Sequence, residues 1–181
     1  MNFTLAPIIL LFSASLWAAE EVTVERVSSE VVDGACYVDA RINFNLHDDL
    51  LEALDHGVEL DARIIIRVRE KRKWLWDRLY KEDVIKFKLD HLLLSNVYIV
   101  TDVRNSRQRQ FDTLGNALKY MGTLDRYLLF DNKNIGARTN LVGSLKTVLN
   151  VKNLPEPLKP VASLFNKWQS DGKWHKWTIV E

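Results

Sequence analysis

Residues 58–69, which read VELDARIIIRVR, decide the fold class because apolar and charged side chains alternate along them. In an extended strand, every second side chain points to the same face of the sheet. One face of this stretch is entirely apolar and comprises Val58, Leu60, Ala62, Ile64, Ile66 and Val68. The other face carries charged residues, among them Arg63, Arg67 and Arg69. We therefore predict a strand of an antiparallel sheet that covers a core with one face and meets solvent with the other.

The same alternation recurs in other segments of the chain. In residues 35–46, ACYVDARINFNL, the apolar positions are Cys36, Val38, Ala40, Ile42, Phe44 and Leu46. Further strand candidates of this character lie at residues 85–90, 97–103, 124–130 and 137–151. Alternating strands separated by turn residues predict a mostly β protein. We expect an antiparallel β-sandwich of about eight strands, immunoglobulin-like or related in fold.

Two short segments have helical spacing, so we predict two short helices that connect strands and lie against the sandwich. In HDDLLEALDHG, Asp48 or Asp49 would cap the first turn, and Gly57 would end the helix in the left-handed conformation. In FDTLGNALKYMG, Thr113 would be the cap and Gly122 would be the stop.

The C-terminal part carries turn signals of its own. Ser170-Asp171-Gly172 separates FNKWQ from KWHKWTIV, which predicts a terminal hairpin with a glycine-containing turn. Before it, NLPEPLKP contains three prolines, which forbid regular pairing and predict an extended crossing.

The first 19 residues are typical of a signal peptide. No charged side chain precedes Glu20, and the apolar run is shorter than the roughly 20 residues that span a bilayer. The run ends at Ala18-Ala19, although no Lys or Arg precedes it. The alternative is an uncleaved anchor or a buried apolar strand. We expect residues 20–181 to be a single β-sandwich domain in the periplasm, without a transmembrane helix.

Signals for chemistry are few. The net charge of +1 implies no global attraction to a polyanion. The four histidines are spread over different segments, and no nucleotide-binding or nucleophile motif occurs. The only cysteine, Cys36, sits in a strand pattern that predicts a buried, unreactive thiol. We expect a protein without metal, cofactor or catalytic residues, and therefore not an enzyme.

Residues 70–83, EKRKWLWDRLYKED, combine basic and aromatic side chains and are the best candidate for a binding surface. The residues of that surface would be Arg63, Arg67, Arg69, Arg72, Trp74, Trp76 and Arg104, with Tyr80 at its rim. Its ligand would be phospholipid headgroups, an anionic glycan or an acidic partner protein. Nucleic acid suits the composition, but an exported protein rarely meets it. The alternative is a solvated strand face whose arginines discourage aggregation.

Several motifs in order resemble a known family. They are Leu51-x-x-Leu54-x-x-Gly57-Val58, Trp74-x-Trp76-Asp77, Thr113-Leu114-x-x-Ala117-Leu118-x-x-Met121-Gly122, Leu154-Pro155-x-Pro157-Leu158 and Ser170-x-Gly172-x-Trp174-x-x-Trp177. This succession resembles domain of unknown function family 4390, small exported proteins of Gram-negative bacteria. The resemblance implies an envelope protein and brings no catalytic residues. It also implies a periplasmic sensing role, because such proteins are encoded near a nitrogen-responsive sensor kinase.

These observations lead to one functional hypothesis and two alternatives. We expect an exported, non-catalytic binding or accessory protein of the bacterial envelope. The alternatives are an envelope enzyme without a recognisable motif and a structural partner of a membrane sensor or envelope complex.

Overall fold

The computed structural model describes residues 22–131, 140–152 and 170–179, which form two antiparallel sheets and two short helices. The elements follow in chain order: β1 (Val22–Val32), β2 (Ala35–Phe44), α1 (Asp48–Asp55), β3 (Glu59–Glu70), β4 (Arg78–Leu92), β5 (Val97–Asp102), β6 (Arg107–Phe111), α2 (Leu114–Met121), β7 (Thr123–Asp131), β8 (Leu141–Lys152), β9 (Ser170–Asp171) and β10 (His175–Thr178). The mostly β, sandwich-type fold is confirmed. Residues 1–21, with the expected leader, and the proline-rich residues 153–160 lie outside the described residues.

The chain alternates between a small sheet and a large sheet. The small sheet has the order β1-β2-β7, and the large sheet has the order β10-β8-β3-β4-β5-β6, with β9 also paired to β8. Helix α1 carries the chain from the small sheet to the large one, and α2 carries it back. The sequence patterns did not predict β1 or β6.

One core lies between the sheets, as the alternating patterns predict. All six apolar side chains predicted for the inner face at residues 58–69 are at most 1% exposed. The inner faces of β2 and β4 add Cys36, Val38, Ala40, Ile42, Phe44, Ile85, Phe87 and Leu89. Leu46 lies beyond the end of β2 and is half-buried. Tyr80 also points inward, where its ring meets Phe130 of β7 edge-on at 5.2 Å, so its predicted position at a surface rim is wrong.

Both helices occur where they were predicted, with one change at a cap. The N-cap of α1 is His47, whose ring Nδ1 accepts a hydrogen bond from the Leu50 N–H at 3.4 Å, and not Asp48 or Asp49. The two aspartates instead occupy the first turn, where the partial positive charge of the helix start favours carboxylates. Gly57 has a φ of 75°, as predicted for the chain reversal after α1.

The prediction of a terminal hairpin is wrong. Strands β9 and β10 both pair with β8, so residues 170–178 continue as one edge strand instead of turning back at Gly172. Asp171 lies opposite Val148, and His175 lies opposite Leu145. Four residue steps on the edge strand therefore match three on β8, so the register shifts by one residue. The Gly172 N–H donates to the Thr147 carbonyl at 2.9 Å, so this glycine keeps contact with β8 at the shift.

Candidate functional site

Three arginines of the predicted surface lie on the outer face of β3, and two of them have acidic neighbours. Arg67 forms an ion pair with Glu82 of β4, and its guanidinium stacks on the Trp174 ring at 4.5 Å. Arg63 lies 3.7 Å from the Asp61 carboxylate on the same strand. The charges of Arg63 and Arg67 are therefore largely balanced, which is the outcome expected of an ordinary solvated strand face.

Arg69, the third arginine, lines a surface cleft of 250 Å³ at the end of β3. The cleft is lined by Arg69, Lys71, Asp77, Val142, Ser144, Lys176, Trp177 and Thr178. Among the residues that the structure describes, none forms an ion pair with Arg69, Lys71 or Lys176. Sequence reasoning missed Lys176, because this residue reaches the cleft only through the pairing of β10 with β8.

The loop between β3 and β4, residues 71–77, carries the two most exposed aromatic side chains among the described residues. Trp74 is 94% exposed, Trp76 is 92% exposed, and Leu75 between them is 64% exposed. We call residues 71–77 the tryptophan loop. The Lys71 N–H donates to the Asn140 carbonyl at 2.9 Å, and Glu70 pairs with Arg78, so both ends of the loop are attached to the large sheet.

Basic side chains surround the two tryptophans. Lys71, Arg72 and Lys73 precede them, Arg78 follows, and all four are exposed. Asp77 is the only acidic residue of the loop. The structure thus brings together Arg69, Arg72, Trp74 and Trp76 of the predicted surface at one end of the large sheet.

Arg104 does not belong to this surface. It lies in the turn between β5 and β6, where it forms an ion pair with Asp83 of β4 and a hydrogen bond with Tyr127 of β7. The Tyr127 hydroxyl donates to the Asp83 carboxylate at 2.7 Å. Because Asp83 and Arg104 belong to the large sheet and Tyr127 to the small one, the three residues connect the two sheets. We call them the inter-sheet triad.

The pKa values in the inter-sheet triad follow from its contacts. Burial alone would raise the pKa of Asp83, but hydrogen bonds from Arg104 and Tyr127 outweigh it and lower the pKa of the carboxyl. Burial and the hydrogen bond to Asp83 raise the pKa of Tyr127. The hydrogen bond to Asp83 raises the pKa of Arg104. The lowered pKa keeps Asp83 ionised, and the raised pKa keeps Tyr127 neutral, so that its hydroxyl can donate to the carboxylate. Both states suit a structural contact.

A second cleft on the outer face of the large sheet holds another set of charged groups. Its volume is 640 Å³, and its lining includes Glu59, Lys88, Asp90 and Thr101. Lys88 Nζ lies 3.0 Å from the Glu59 carboxylate, and this hydrogen bond raises the pKa of Lys88. Burial first, and then the charge of Glu59, raise the pKa of Asp90. Paired groups with shifted pKa values in a cleft are the feature expected of a catalytic site.

The thiol of Cys36 and the metal-ligating side chains are not arranged as reactive sites in the described residues. Cys36 is fully buried, and burial raises the pKa of its thiol to about 11. Among the described residues, no group of three or more His, Cys, Asp or Glu side chains is arranged to hold a metal ion. Within the same residues, no helix has the length and apolar character needed to cross a membrane.

The sequence was compared with known proteins, solved structures and protein families. No curated protein and no solved structure matches the chain. A family model described as Domain of unknown function (DUF4390) matches residues 19–178. Because the match extends over most of the sequence, from the expected end of the leader to the last residue of β10, the chain belongs to the DUF4390 family.

Proposed function

We propose that the protein is an exported, non-catalytic binding or accessory protein of the bacterial envelope, and that it docks on an anionic membrane surface through the tryptophan loop. The observation that carries the proposal is the exposure of Trp74 and Trp76, at 94% and 92%, between basic side chains. Two neighbouring tryptophans in water are unusual for a surface that meets nothing else.

The composition of the tryptophan loop suits the interface between lipid and water. Tryptophan is enriched at that interface because its ring is apolar and its indole N–H is polar. Basic residues near an anionic bilayer contribute about 1 kcal/mol each at physiological ionic strength. Lys71, Arg72, Lys73 and Arg78 oppose a single acid, Asp77. Electrostatic attraction would bring the loop to the surface, and partial burial of Trp74, Leu75 and Trp76 would hold it there.

An acidic partner protein, such as a membrane sensor, could also meet this loop. We favour the membrane because the loop offers three consecutive exposed apolar side chains, Trp74, Leu75 and Trp76, whereas stable protein interfaces bury about 800 Å² on each partner. So small an apolar area with basic neighbours suits insertion between lipid headgroups better than docking on a protein.

The proposal is tested by sedimentation of the protein with vesicles that contain phosphatidylglycerol in phosphatidylcholine. The double substitution Trp74→Ala and Trp76→Ala should weaken binding about 100-fold, since each removes roughly 1.5 kcal/mol of apolar burial. The matched control, Leu93→Ala with Leu94→Ala, removes two exposed apolar side chains at the opposite end of β4. Binding of the control should equal that of the unsubstituted protein.

The charge contribution is tested separately. Arg72→Ser with Lys73→Ser should weaken binding at low salt and flatten its salt dependence, because two phosphate contacts are lost. The control, Arg107→Ser with Lys119→Ser, removes two exposed cations from β6 and α2. Vesicle binding that is insensitive to both loop variants would refute the membrane proposal. Capture of an acidic protein through the same loop would then favour the structural-partner alternative.

Export is part of the proposal and has its own test. Cleavage after Ala19 would give a mature chain that begins close to the start of the family match at residue 19. Mass spectrometry of the periplasmic fraction should find an N-terminus near Glu20. An intact Met1 in that fraction would contradict cleavage, and recovery of the protein only in the cytoplasm would contradict export.

The competing proposal, an envelope enzyme, draws its support from the cleft lined by Glu59, Lys88 and Asp90. These groups could transfer protons, because burial and the charge of Glu59 raise the pKa of Asp90, and the hydrogen bond to Glu59 raises the pKa of Lys88. If such an activity is found, Lys88→Met should abolish it and leave vesicle binding unchanged. That separation is expected because the tryptophan loop lines a different cleft.

A further inference from the structure

We infer that the cleft beside the tryptophan loop is a binding pocket for a phosphate group, formed by Arg69, Lys71 and Lys176 with the hydroxyls of Ser144 and Thr178. We call it the phosphate pocket. The inference deepens the proposed membrane docking and rests on it for the source of the ligand, which would be the phosphate of a lipid headgroup.

The pairing of the strands places the pocket residues side by side. Lys176 of β10 lies opposite Ser144 of β8, which lies opposite Arg67 of β3. In the next row along the strands, Thr178 lies opposite Val142, which lies opposite Arg69. Paired strands are about 4.8 Å apart, so Lys176 and Arg69 approach the same space from two sides of β8. Ser144 and Thr178 stand in these two rows, and the Ser144 hydroxyl, which donates to the Arg67 carbonyl at 3.4 Å, would turn to a bound phosphate.

Charge distinguishes the pocket from the rest of the same sheet face. Next to it, Arg67 is paired with Glu82, and Lys146 is paired with Asp171 at 2.7 Å. The three cations of the pocket have no such partner among the residues that the structure describes. Like charges brought together without ion-pair partners repel each other, and a bound dianion or monoanion would relieve that repulsion.

Asp77 also lines the pocket and makes a specific contribution. Its carboxylate would repel a phosphate, so it lowers affinity while three cations raise it. The net positive charge that remains suits a phosphate monoester or diester, which carries one to two negative charges. Asp77→Asn should therefore bind phosphate more tightly than the unsubstituted protein, a result that a merely structural role of Asp77 would not produce.

The size and position of the pocket select the class of ligand. Its volume of 250 Å³ is below the roughly 300–1,000 Å³ of pockets for drug-sized ligands, so it fits a small headgroup. Lys71 and Asp77 are the first and last residues of the tryptophan loop and also line the pocket. If Trp74 and Trp76 lie at the lipid–water interface, the adjoining pocket would lie close to the same membrane surface.

The experiment uses Lys176→Ser, because Lys176 lies on β10 and not in the tryptophan loop. Calorimetric titrations with inorganic phosphate and with glycerol 3-phosphate are compared with binding to phosphatidylglycerol vesicles. Loss of one charge-assisted contact should weaken all three about tenfold. Asp77→Asn should strengthen the two soluble titrations about fivefold through removal of one repulsive charge. The matched control is Lys86→Ser, which removes an exposed lysine from β4.

The outcomes separate the pocket from the membrane proposal. If Trp74→Ala with Trp76→Ala abolishes vesicle binding while Lys176→Ser changes no titration, the pocket is overturned and membrane docking stands. If soluble phosphates bind with dependence on Lys176 but vesicles do not bind, the site takes free phosphate and membrane docking is overturned. If Lys176→Ser and Lys86→Ser weaken vesicle binding equally and neither changes the soluble titrations, the effect is general charge, and the pocket is overturned.

Discussion

Replacement of Asp83 by Ala should destabilise the protein by an amount that the contacts of the inter-sheet triad define. The Asp83 side chain is 13% exposed and accepts hydrogen bonds from Arg104, from Tyr127 and from the Val84 N–H. Hydrogen bonds to a charged group contribute roughly 1.5–3 kcal/mol each. Because the Arg104 side chain is 45% exposed, solvent screens part of its contribution. We expect a total loss of about 2–3 kcal/mol in the free energy of unfolding.

The assay is thermal unfolding followed by circular dichroism, with Asp125→Ala as the matched control. Asp125 pairs with Arg41 at 2.7 Å, but both side chains are about half exposed or more, at 66% and 47%. An exposed ion pair of this kind contributes about 0.5 kcal/mol or less. For a domain of this size, Asp83→Ala should lower Tm by about 5–10 °C and Asp125→Ala by less than about 2 °C.

The pH dependence of the Asp83 effect has a definite sign. The folded-state pKa of Asp83 lies below its unfolded value of about 3.9, because its partners favour the carboxylate. Its contribution is therefore full above about pH 5 and is lost as the pH falls through the folded-state pKa. The difference in Tm between the unsubstituted protein and Asp83→Ala should shrink below about pH 4. Equal Tm values for the two proteins at neutral pH would refute the triad as a connection between the sheets.

Two further predictions concern glycine and cysteine positions. Gly122→Ala should lower Tm, because the new Cβ would lie 2.0 Å from the Ile42 carbonyl oxygen. Gly115→Ala, with nothing within 4 Å of the new Cβ, should raise Tm slightly, because Gly115 lies in the first turn of α2. A loss at Gly115 as large as that at Gly122 would contradict the packing of α2. Cys36 should react with a disulfide reagent at pH 8 at least about 100-fold more slowly in the folded than in the unfolded protein, because burial raises its pKa. Equal rates would show that Cys36 is accessible.

The sequence patterns predicted those parts of the fold that depend on neighbouring residues along the chain. Alternation identified the buried faces of β2, β3 and β4, since a period of two depends only on the extended backbone. Thr113 was recognised as a cap because its side chain bonds to an N–H three residues ahead, in this case that of Asn116. Gly57 was recognised because few other residues adopt a positive φ without strain.

The parts that were not predicted depend on residues far apart in sequence. Arg104 looks like a surface cation in the sequence, but its partners Asp83 and Tyr127 are brought to it by strand pairing and by the approach of the second sheet. Lys176 joins Arg69 only because β10 and β3 flank β8. Ser170-Asp171-Gly172 is a common turn sequence, and pairing with β8 overrides that local preference.

The observed candidate surface differs from the predicted one, in part because contacts between strands are not visible in the sequence. Of the seven residues predicted for it, Arg69, Arg72, Trp74 and Trp76 lie at one end of the large sheet. The charge of Arg67 is balanced by Glu82 of the neighbouring strand, whose position depends on strand register, and that of Arg63 by Asp61 on the same strand. Exposure of the tryptophans could not be read from a pattern, because a loop sequence has no periodicity that distinguishes a buried face from an exposed one.

Insertion of the tryptophan loop into a bilayer is tested most directly by fluorescence quenching with brominated phosphatidylglycerol. Trp74 and Trp76 should be quenched when the protein binds such vesicles, because their rings would lie within reach of the brominated acyl chains. Trp74→Phe with Trp76→Phe should still bind the vesicles but lose most of the quenching, since the indole rings that would enter the bilayer are those of the tryptophan loop. Bound protein whose quenching is the same before and after these substitutions would contradict insertion of the loop.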